Sequence, residues 1–280
     1  MDTTGFACSV SGVDGAAVML DPDVTTSRAA EPTADEAVSF ATGLGLLEGR
    51  LWQAPGVDGP APLLVVHDGP AYAGEGRLLD YLTRLAAGRL QRAPGVGVRA
   101  LLLTAPDRDA WYSANDDYAA ALAEAVAEIT TAWPTTFTVG VGASLGALAA
   151  LHAQWNLGLF DGLLLQSGSF FTPDTDPQEE QFAHWEAVVG FVSTVQDEVP
   201  ARPLPPVAMT CGADEENIHN NRLMAARLAE LADVGYVEAH AIHNFVAWRD
   251  ALHPSLTELL TKVIARTAPP HTRVWPTIDP

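Results

Sequence analysis

Short apolar runs bounded by loop residues recur along the chain from residue 63 onward. A continuous apolar run of roughly four to eight residues is typical of a strand that is buried on both faces of a sheet. Two more strands are predicted just upstream, at 37–42 and 46–53. The later runs that we interpret as strands are 63–66, 99–104, 137–142, 162–166, 207–211 and 236–242.

Segments with helical patterns lie between these runs, at 77–90, 115–133, 145–155, 181–195, 216–231 and 247–264. Asn115 or Asp116 is a suitable N-cap for the second of them. Strands that alternate with helices predict an α/β fold, in which a mostly parallel central sheet carries helices on both faces. In such sheets the chemistry lies at the carboxyl ends of the strands.

The two ends of the chain differ from this regular pattern. We predict that the segments Phe6–Val10 and Ala16–Leu20 form hairpin strands. The proline-rich tail from Ala268 is predicted to be an irregular segment without helix or strand. Neither a repeat nor a long linker divides the sequence. We therefore expect a single domain, with N-terminal strands and a loop at 1–60, a core at 61–266 and a tail at 267–280.

The stretch VGVGASLGAL at 139–148 has two interpretations. As a dinucleotide-binding loop it would need an acidic residue at the end of the next strand, but Asp161 precedes that strand and a phosphate-binding lysine is missing. As a G-x-S-x-G turn between a strand and a helix, it would expose Ser144 as a nucleophile. Gly142 and Gly146 would give the turn room, and the Leu145 N–H could donate to an oxyanion.

A serine nucleophile needs a histidine base and an acid that orients it, in the chain order Ser, Asp/Glu, His. His243 follows the last predicted strand, whereas His240 is expected inside that strand and His253 inside the final helix. The acid should follow the strand at 207–211. The sequence CGADEEN there offers three carboxylates, Asp214, Glu215 and Glu216.

Charge and composition exclude several classes of function. The formal net charge of −20 repels phosphate backbones and anionic lipid, so neither a nucleic-acid nor a membrane partner is expected. The two cysteines, Cys8 and Cys211, suit free buried thiols and cannot form a structural zinc site. The N-terminus lacks a signal-peptide pattern, which predicts a cytoplasmic protein.

Four blocks of sequence resemble the enterochelin-esterase and esterase D branch of the α/β-hydrolases. They are VVHDGPAY at 65–72, DRDAWYSANDDY at 107–118, TVGVGASLGALAAL running into LLLQSGSFF at 138–171, and TCGADEEN with HNFVAWRDAL at 210–252. The resemblance implies the α/β-hydrolase fold and ester hydrolysis by Ser144 and His243, without metal or cofactor. It places the acid three residues after Gly212, at Glu215, and a shift of one residue would select Asp214 or Glu216.

The chain departs from the pattern of its relatives at the second oxyanion donor. In related mycolyltransferases this donor is the N–H that follows an Asp-Gly pair. Here that residue is Pro70, which has no N–H. The donor is therefore expected to be Ala71, with Gly69 or no donor at all as the alternatives.

A second departure concerns the substrate. Arg108, Tyr112 and Asn115 match a motif of the trilactone esterases, but Trp111 replaces its glutamate, which argues for another substrate. Arg108 could hold a carboxylate or phenolate of the substrate, or pair with an aspartate at 107, 109, 116 or 117. Six aromatic residues at the active edge could line an aromatic pocket, or cap the apolar edge of the sheet. They are Trp111, Tyr112, Phe170, Phe171, Phe245 and Trp248.

These observations predict a serine esterase that acts on a small or aromatic ester. An acyltransferase of the mycolyltransferase type and a non-catalytic scaffold are the alternatives. The sequence leaves the identity of the ester open, and also the choice between a monomer and a homodimer.

Overall fold

The computed structural model describes residues 35–91, 93 and 95–267, which form an eight-stranded sheet flanked by helices. Its strands are β1 Asp35–Thr42, β2 Gly45–Gln53, β3 Ala61–Val66, β4 Arg99–Thr104, β5 Thr135–Ala143, β6 Gly162–Gln166, β7 Val207–Gly212 and β8 Val234–Ala239.

The spatial order of the strands is β1-β2-β4-β3-β5-β6-β7-β8. The first two strands pair antiparallel with each other, and β2 also pairs antiparallel with β4. All remaining neighbours are parallel. The carboxyl ends of β3 to β8 therefore meet at one edge of the sheet, where chemistry is expected.

The helices occupy the connections between strands, and three of them are only five or six residues long. They are α1 Gly69–Ala73, α2 Leu78–Ala86, α3 Arg108–Tyr112, α4 Asp116–Ala132, α5 Leu145–Leu157, α6 Trp185–Asp197, α7 Ile218–Ala229, α8 Phe245–Asp250 and α9 Leu252–Thr267. A short 3₁₀ turn, Pro177–Glu179, lies before α6.

The sheet separates two hydrophobic cores, as the continuously apolar strands predict. In β3, Leu63 and Val65 belong to one core, while Leu64 and Val66 belong to the other. All four side chains are fully buried, and each such side chain stabilises the fold by about 1.5–3 kcal/mol relative to an exposed one. The prediction of a mostly parallel sheet with helices on both faces is confirmed.

The predicted and observed elements differ mainly near the carboxyl edge. The short helices α1 and α3 lie where the sequence pattern predicts only loops. The predicted final helix is divided into α8 and α9, and His253 has a non-helical backbone because proline at 254 disfavours the helical region for the residue before it. His240 was expected inside the last strand, but β8 ends at Ala239 and His240 follows it.

Several predictions lie outside the described residues. They are the hairpin strands 6–10 and 16–20, the tail from 268, and Cys8. The division of the chain into an extension, a core and a tail therefore stays a prediction. The other cysteine, Cys211, is free and buried, and burial raises the pKa of its thiol to about 12.

Candidate active site

Ser144 lies on a tight turn between β5 and α5. Its backbone has φ 55° and ψ −125°, a conformation that is rare for a residue with a side chain and costs about 1–3 kcal/mol. A Cβ atom at Gly142 would lie 2.2 Å from the carbonyl oxygen of Gly146, and one at Gly146 would lie 3.0 Å from Cβ of His67. A side chain at Gly142 would therefore clash with the backbone, whereas one at Gly146 would need His67 to shift by a few tenths of an ångström.

Two neighbouring residues argue against a dinucleotide-binding loop. Asp161 lies at the amino edge of the sheet, where its carboxylate accepts the Thr138 N–H at 2.8 Å. It therefore cannot reach a ribose at the carboxyl edge. A Cβ atom at Gly140 would lie 2.9 Å from the ring of Phe160, so this glycine allows close packing inside the protein.

His243 and Glu215 form a hydrogen-bonded pair at the carboxyl edge, with Nδ1 of the histidine 2.9 Å from Oε2 of the glutamate. The side chain of Glu215 is 0% exposed, whereas that of His243 is 32% exposed. Asp214, the preceding carboxylate, is 62% exposed and lies 4.0 Å from Nδ1 of His240. Glu215 is thus the carboxylate of this cluster that contacts His243, while Glu216 lines the cleft described below.

The second carboxylate oxygen of Glu215 is held by two donors. The N–H of Gly212 and the hydroxyl of Ser167 each donate to Oε1 at 2.8 Å. The indole N–H of Trp248 donates in turn to the Ser167 hydroxyl at 2.9 Å. The Trp248 ring also contacts His243 edge to face, with 5.0 Å between the ring centres. Trp248 therefore restrains both members of the His243–Glu215 pair.

A cleft of about 200 Å³ opens above the serine. Ser144 and His243 both line it, and the Ser144 hydroxyl lies 3.1 Å from that of Ser169. The cleft is also lined by Phe171, one of the expected aromatic residues, and by Glu216, one of the three candidate acids. Four further lining residues were not expected from the sequence: Ser169, Glu179, Phe182 and Asn217.

One signal in the sequence could have identified Ser169. It belongs to the QSGSFF block, whose position after β6 places it at the carboxyl edge. Glu179 and Phe182 come from the segment between β6 and α6, and Phe182 lies before the helix, which begins at Trp185 and not at the predicted residue 181. Their place in the cleft depends on the path of that segment across the sheet edge.

The two predicted oxyanion donors differ in their surroundings. Leu145 lines the cleft and is the first residue of α5, so its N–H has no acceptor within the helix. Ala71 must be corrected as a donor, because its N–H already bonds to the carbonyl oxygen of Asp68 at 3.0 Å within the first turn of α1. Ala71 also does not line the cleft.

The four residues predicted to bind substrate do not line the cleft either. Trp111, Tyr112 and Phe170 are buried in the larger hydrophobic core, so their prediction as pocket residues is corrected. Trp111 and Tyr112 belong to α3, which packs against α5. Arg108 is half-exposed and forms a two-pronged ion pair with Asp68, through Nε at 2.8 Å and Nη2 at 2.9 Å.

Beside this ion pair lies a buried histidine. His67 ends β3, and its Nδ1 lies 3.1 Å from the carbonyl oxygen of Val141. The rings of Tyr112 and Tyr118 pack edge to face against it. Burial lowers the pKa of His67 to about 4, so the ring is neutral at physiological pH. The ring of His67 is fully buried, and its Nε2 has no hydrogen-bond partner among the described residues.

The described residues give less support to a metal site, to a catalytic site in a second cleft, or to a membrane-spanning segment. Within 35–267, no three side chains of His, Cys, Asp or Glu lie close enough together to hold a metal ion. A larger cleft of about 410 Å³ lies near β1, β2 and Pro70, but none of its lining residues is a histidine. None of the helices in the described part of the chain is long and apolar enough to span a membrane.

Comparison with solved structures identifies the fold. The enterobactin esterase FES from Shigella flexneri, in the presence of enterobactin, matches with a TM-score of 0.70 and 19% identity over 89% of this chain and 63% of that chain. A ferulic acid esterase matches with a TM-score of 0.63 and 13% identity, over 81% of this chain and 98% of that one. FphF, a fluorophosphonate-binding serine hydrolase of Staphylococcus aureus, matches with a TM-score of 0.62 and 12% identity, over 82% of this chain and 99% of that chain.

These likenesses establish the α/β-hydrolase fold, as the sequence resemblance predicts. Structures of enterobactin esterases, from the family that the sequence blocks resemble, are among the matches. The chain spans only 63% of the length of the FES structure. Neither a family model nor any of the curated proteins matches the chain.

Proposed function

We propose that this protein is a serine carboxylic-ester hydrolase. The observation that carries the proposal is the His243–Glu215 pair, whose histidine lines the same cleft as a serine on a strained strand-to-helix turn. A nucleophile, a base and a buried orienting acid in chain order Ser, Glu, His is the arrangement that α/β-hydrolases use for acyl transfer.

In the proposed reaction, the Ser144 hydroxyl attacks the ester carbonyl while Nε2 of His243 accepts its proton. Glu215 holds the Nδ1–H tautomer and stabilises the imidazolium that forms. The Leu145 N–H, at the amino end of α5, donates to the developing oxyanion. His243 then returns the proton to the leaving alcohol, and water hydrolyses the acyl-enzyme by the same steps in reverse.

The Ser144 hydroxyl pairs with that of Ser169, and the proposed reaction requires its proton to be directed toward His243. This is compatible with catalysis, because catalytic hydrogen bonds are often long or misaligned until substrate binds. Ser169 then becomes a polar neighbour of the reacting centre. Its hydroxyl is positioned to contact the substrate.

The cleft suits a small or aromatic ester. Its volume is about 200 Å³, and the rings of Phe171 and Phe182 form its apolar wall. Both rings lie near each other, with centres 6.5 Å apart, so a flat acyl or alcohol group could pack against them.

Transfer of the acyl group to an alcohol acceptor would use the same residues, and would be detected as acylated product when an acceptor is added. A cytoplasmic location and a single-domain organisation are kept as parts of the proposal.

Turnover of p-nitrophenyl acetate and butyrate tests the proposal. We expect the Ser144→Ala variant to lose at least about 10³-fold in kcat, because the nucleophile is gone while the fold is intact. Ser39→Ala is the matched control, since this serine lies in the larger cleft without a histidine and its loss should change nothing. Equal turnover by wild type and Ser144→Ala would refute the proposal.

A further inference from the structure

Two carboxylates from separate segments of the chain line the cleft. Glu179 comes from the 3₁₀ turn before α6, and Glu216 from the loop between β7 and α7. Both line the cleft together with Ser144 and His243. Neither forms an ion pair with a Lys or Arg side chain of the described residues, so neither charge is neutralised by such a partner there.

The surroundings of Glu179 strengthen the negative field. Glu179 is half-buried, and the nearby carboxylates of Glu216 and Asp176 add to the effect of burial in raising its pKa, while His243 opposes them. Asp176 is fully buried and accepts hydrogen bonds from the Thr172 N–H and the Asn220 amide. These neutral donors leave its negative charge unbalanced.

The cationic group that could favour an anionic substrate lies elsewhere. Arg108 is bound to Asp68 and does not line the cleft. Beyond the cleft, the formal net charge of −20 gives the whole chain a field that attracts cations and repels anions. Local and long-range electrostatics therefore act in the same direction.

We propose that the cleft selects esters that carry a positive charge close to the scissile bond, with Glu179 and Glu216 as the residues that recognise it. A quaternary or primary ammonium group would lie between the two carboxylates and against the rings of Phe171 and Phe182, which also attract cations. The proposal rests on the proposed esterase function, because it concerns the substrate of that same site.

Three acetate esters that differ mainly in charge test this inference. They are acetylcholine, its uncharged isostere 3,3-dimethylbutyl acetate, and the anionic 4-acetoxybutanoate, each followed by release of acetate. We expect kcat/KM for the cation to exceed that for the isostere by roughly threefold to tenfold, as for one or two partly exposed ion pairs. The anion should be the poorest substrate, and added salt should reduce the preference for the cation.

The double variant Glu179→Gln/Glu216→Gln should abolish the preference for the cationic ester over its uncharged isostere. Glu180→Gln is the matched control, because this exposed carboxylate neighbours Glu179 but does not line the cleft. A second measurement is inhibition of p-nitrophenyl acetate turnover by tetramethylammonium, with neutral tert-butanol for comparison. Wild type should bind the cation more tightly, and the double variant should bind both equally.

Three results for the wild-type protein would each overturn the inference. They are equal kcat/KM for acetylcholine and its uncharged isostere, faster turnover of the anionic ester, and equal inhibition by tetramethylammonium and tert-butanol. These results leave Ser144-dependent turnover of p-nitrophenyl esters intact, so they are distinct from failure of the esterase proposal. If no ester shows Ser144-dependent turnover, the esterase proposal fails and the inference falls with it.

Discussion

Two histidines lie at the same edge of the sheet, and their surroundings give them opposite characters. His243 follows β8, is partly exposed, and holds a buried glutamate on one side while its other face borders a cleft. His67 follows β3, is completely buried, and packs between tyrosine rings beside the Asp68–Arg108 ion pair. Both clusters contain an imidazole, a carboxylate and a hydroxyl group.

The comparison shows that residue types alone do not define a catalytic site. Around His67 the imidazole is fully buried, and the neighbouring charges of Asp68 and Arg108 pair with each other. Around His243 the acid is fixed by two donors, and the partly exposed imidazole lines the same cleft as Ser144. Access and an orienting partner, more than composition, separate the candidate active site from a structural cluster.

The largest expected effect is at Glu215. Glu215→Gln should lower kcat by roughly 10³–10⁴-fold, because the amide cannot stabilise the imidazolium and favours the wrong tautomer. Asp214→Asn, one residue away and exposed, should change kcat by less than about twofold. Steady-state kinetics with p-nitrophenyl butyrate measures both. A larger loss of kcat in Asp214→Asn than in Glu215→Gln would indicate that Asp214 is the acid that orients His243.

His67 should affect stability and leave the reaction unchanged. Its pKa in the folded protein is about 4, below the ordinary value of 6.5, so the unfolded chain takes up a proton first as the pH falls. The free energy of unfolding should therefore drop by about 3 kcal/mol between pH 6.5 and 4 on account of this group. Denaturant titrations across this pH range measure the drop.

His67→Gln removes this titration while its amide can still donate to the Val141 carbonyl, so its stability should depend less steeply on pH. His240→Gln is the control, because that side chain is 96% exposed and its removal should leave the slope unchanged. An identical slope in wild type and His67→Gln would contradict the buried, neutral state of this histidine.

A smaller effect on kcat is expected for the hydrogen-bond donors that hold Glu215, which are Ser167 and, through it, Trp248. Trp248→Phe keeps the ring against His243 but removes the N–H that orients Ser167, and should lower kcat by about tenfold with little change in KM. Ser167→Ala should cost at least as much. Because both act through one hydrogen-bonded chain, the double variant should be no worse than Ser167→Ala. Fully additive losses would show that Trp248 and Ser167 act independently.

The sequence predicts the elements of the sheet well, because buried parallel strands are continuously apolar. Arg99–Thr104 and Gly162–Gln166 are predicted with the bounds that the structure shows. The positions of Ser144 and His243 follow from the order of the strands. The acid could be narrowed to three neighbours, and the geometry then distinguishes Glu215 by its contact with His243.

The residues that line the cleft could not all be predicted from the sequence, because the lining depends on contacts between distant segments of the chain. Trp111 and Phe170 are aromatic residues near strand ends, but the helix α3 and the turn after β6 direct them into the core. Ala71 was expected to donate to an oxyanion, yet the turn of α1 uses its N–H. Local sequence does not encode these orientations.

Covalent labelling tests the central claim most directly. A fluorophosphonate reacts only with a serine whose hydroxyl is activated and accessible, so we expect one label per chain, located on the peptide that contains Ser144 by mass spectrometry. Ser144→Ala should take up no label, and Glu215→Gln should label far more slowly. A folded wild-type protein that takes up no label, or a label that persists in Ser144→Ala, would contradict the account.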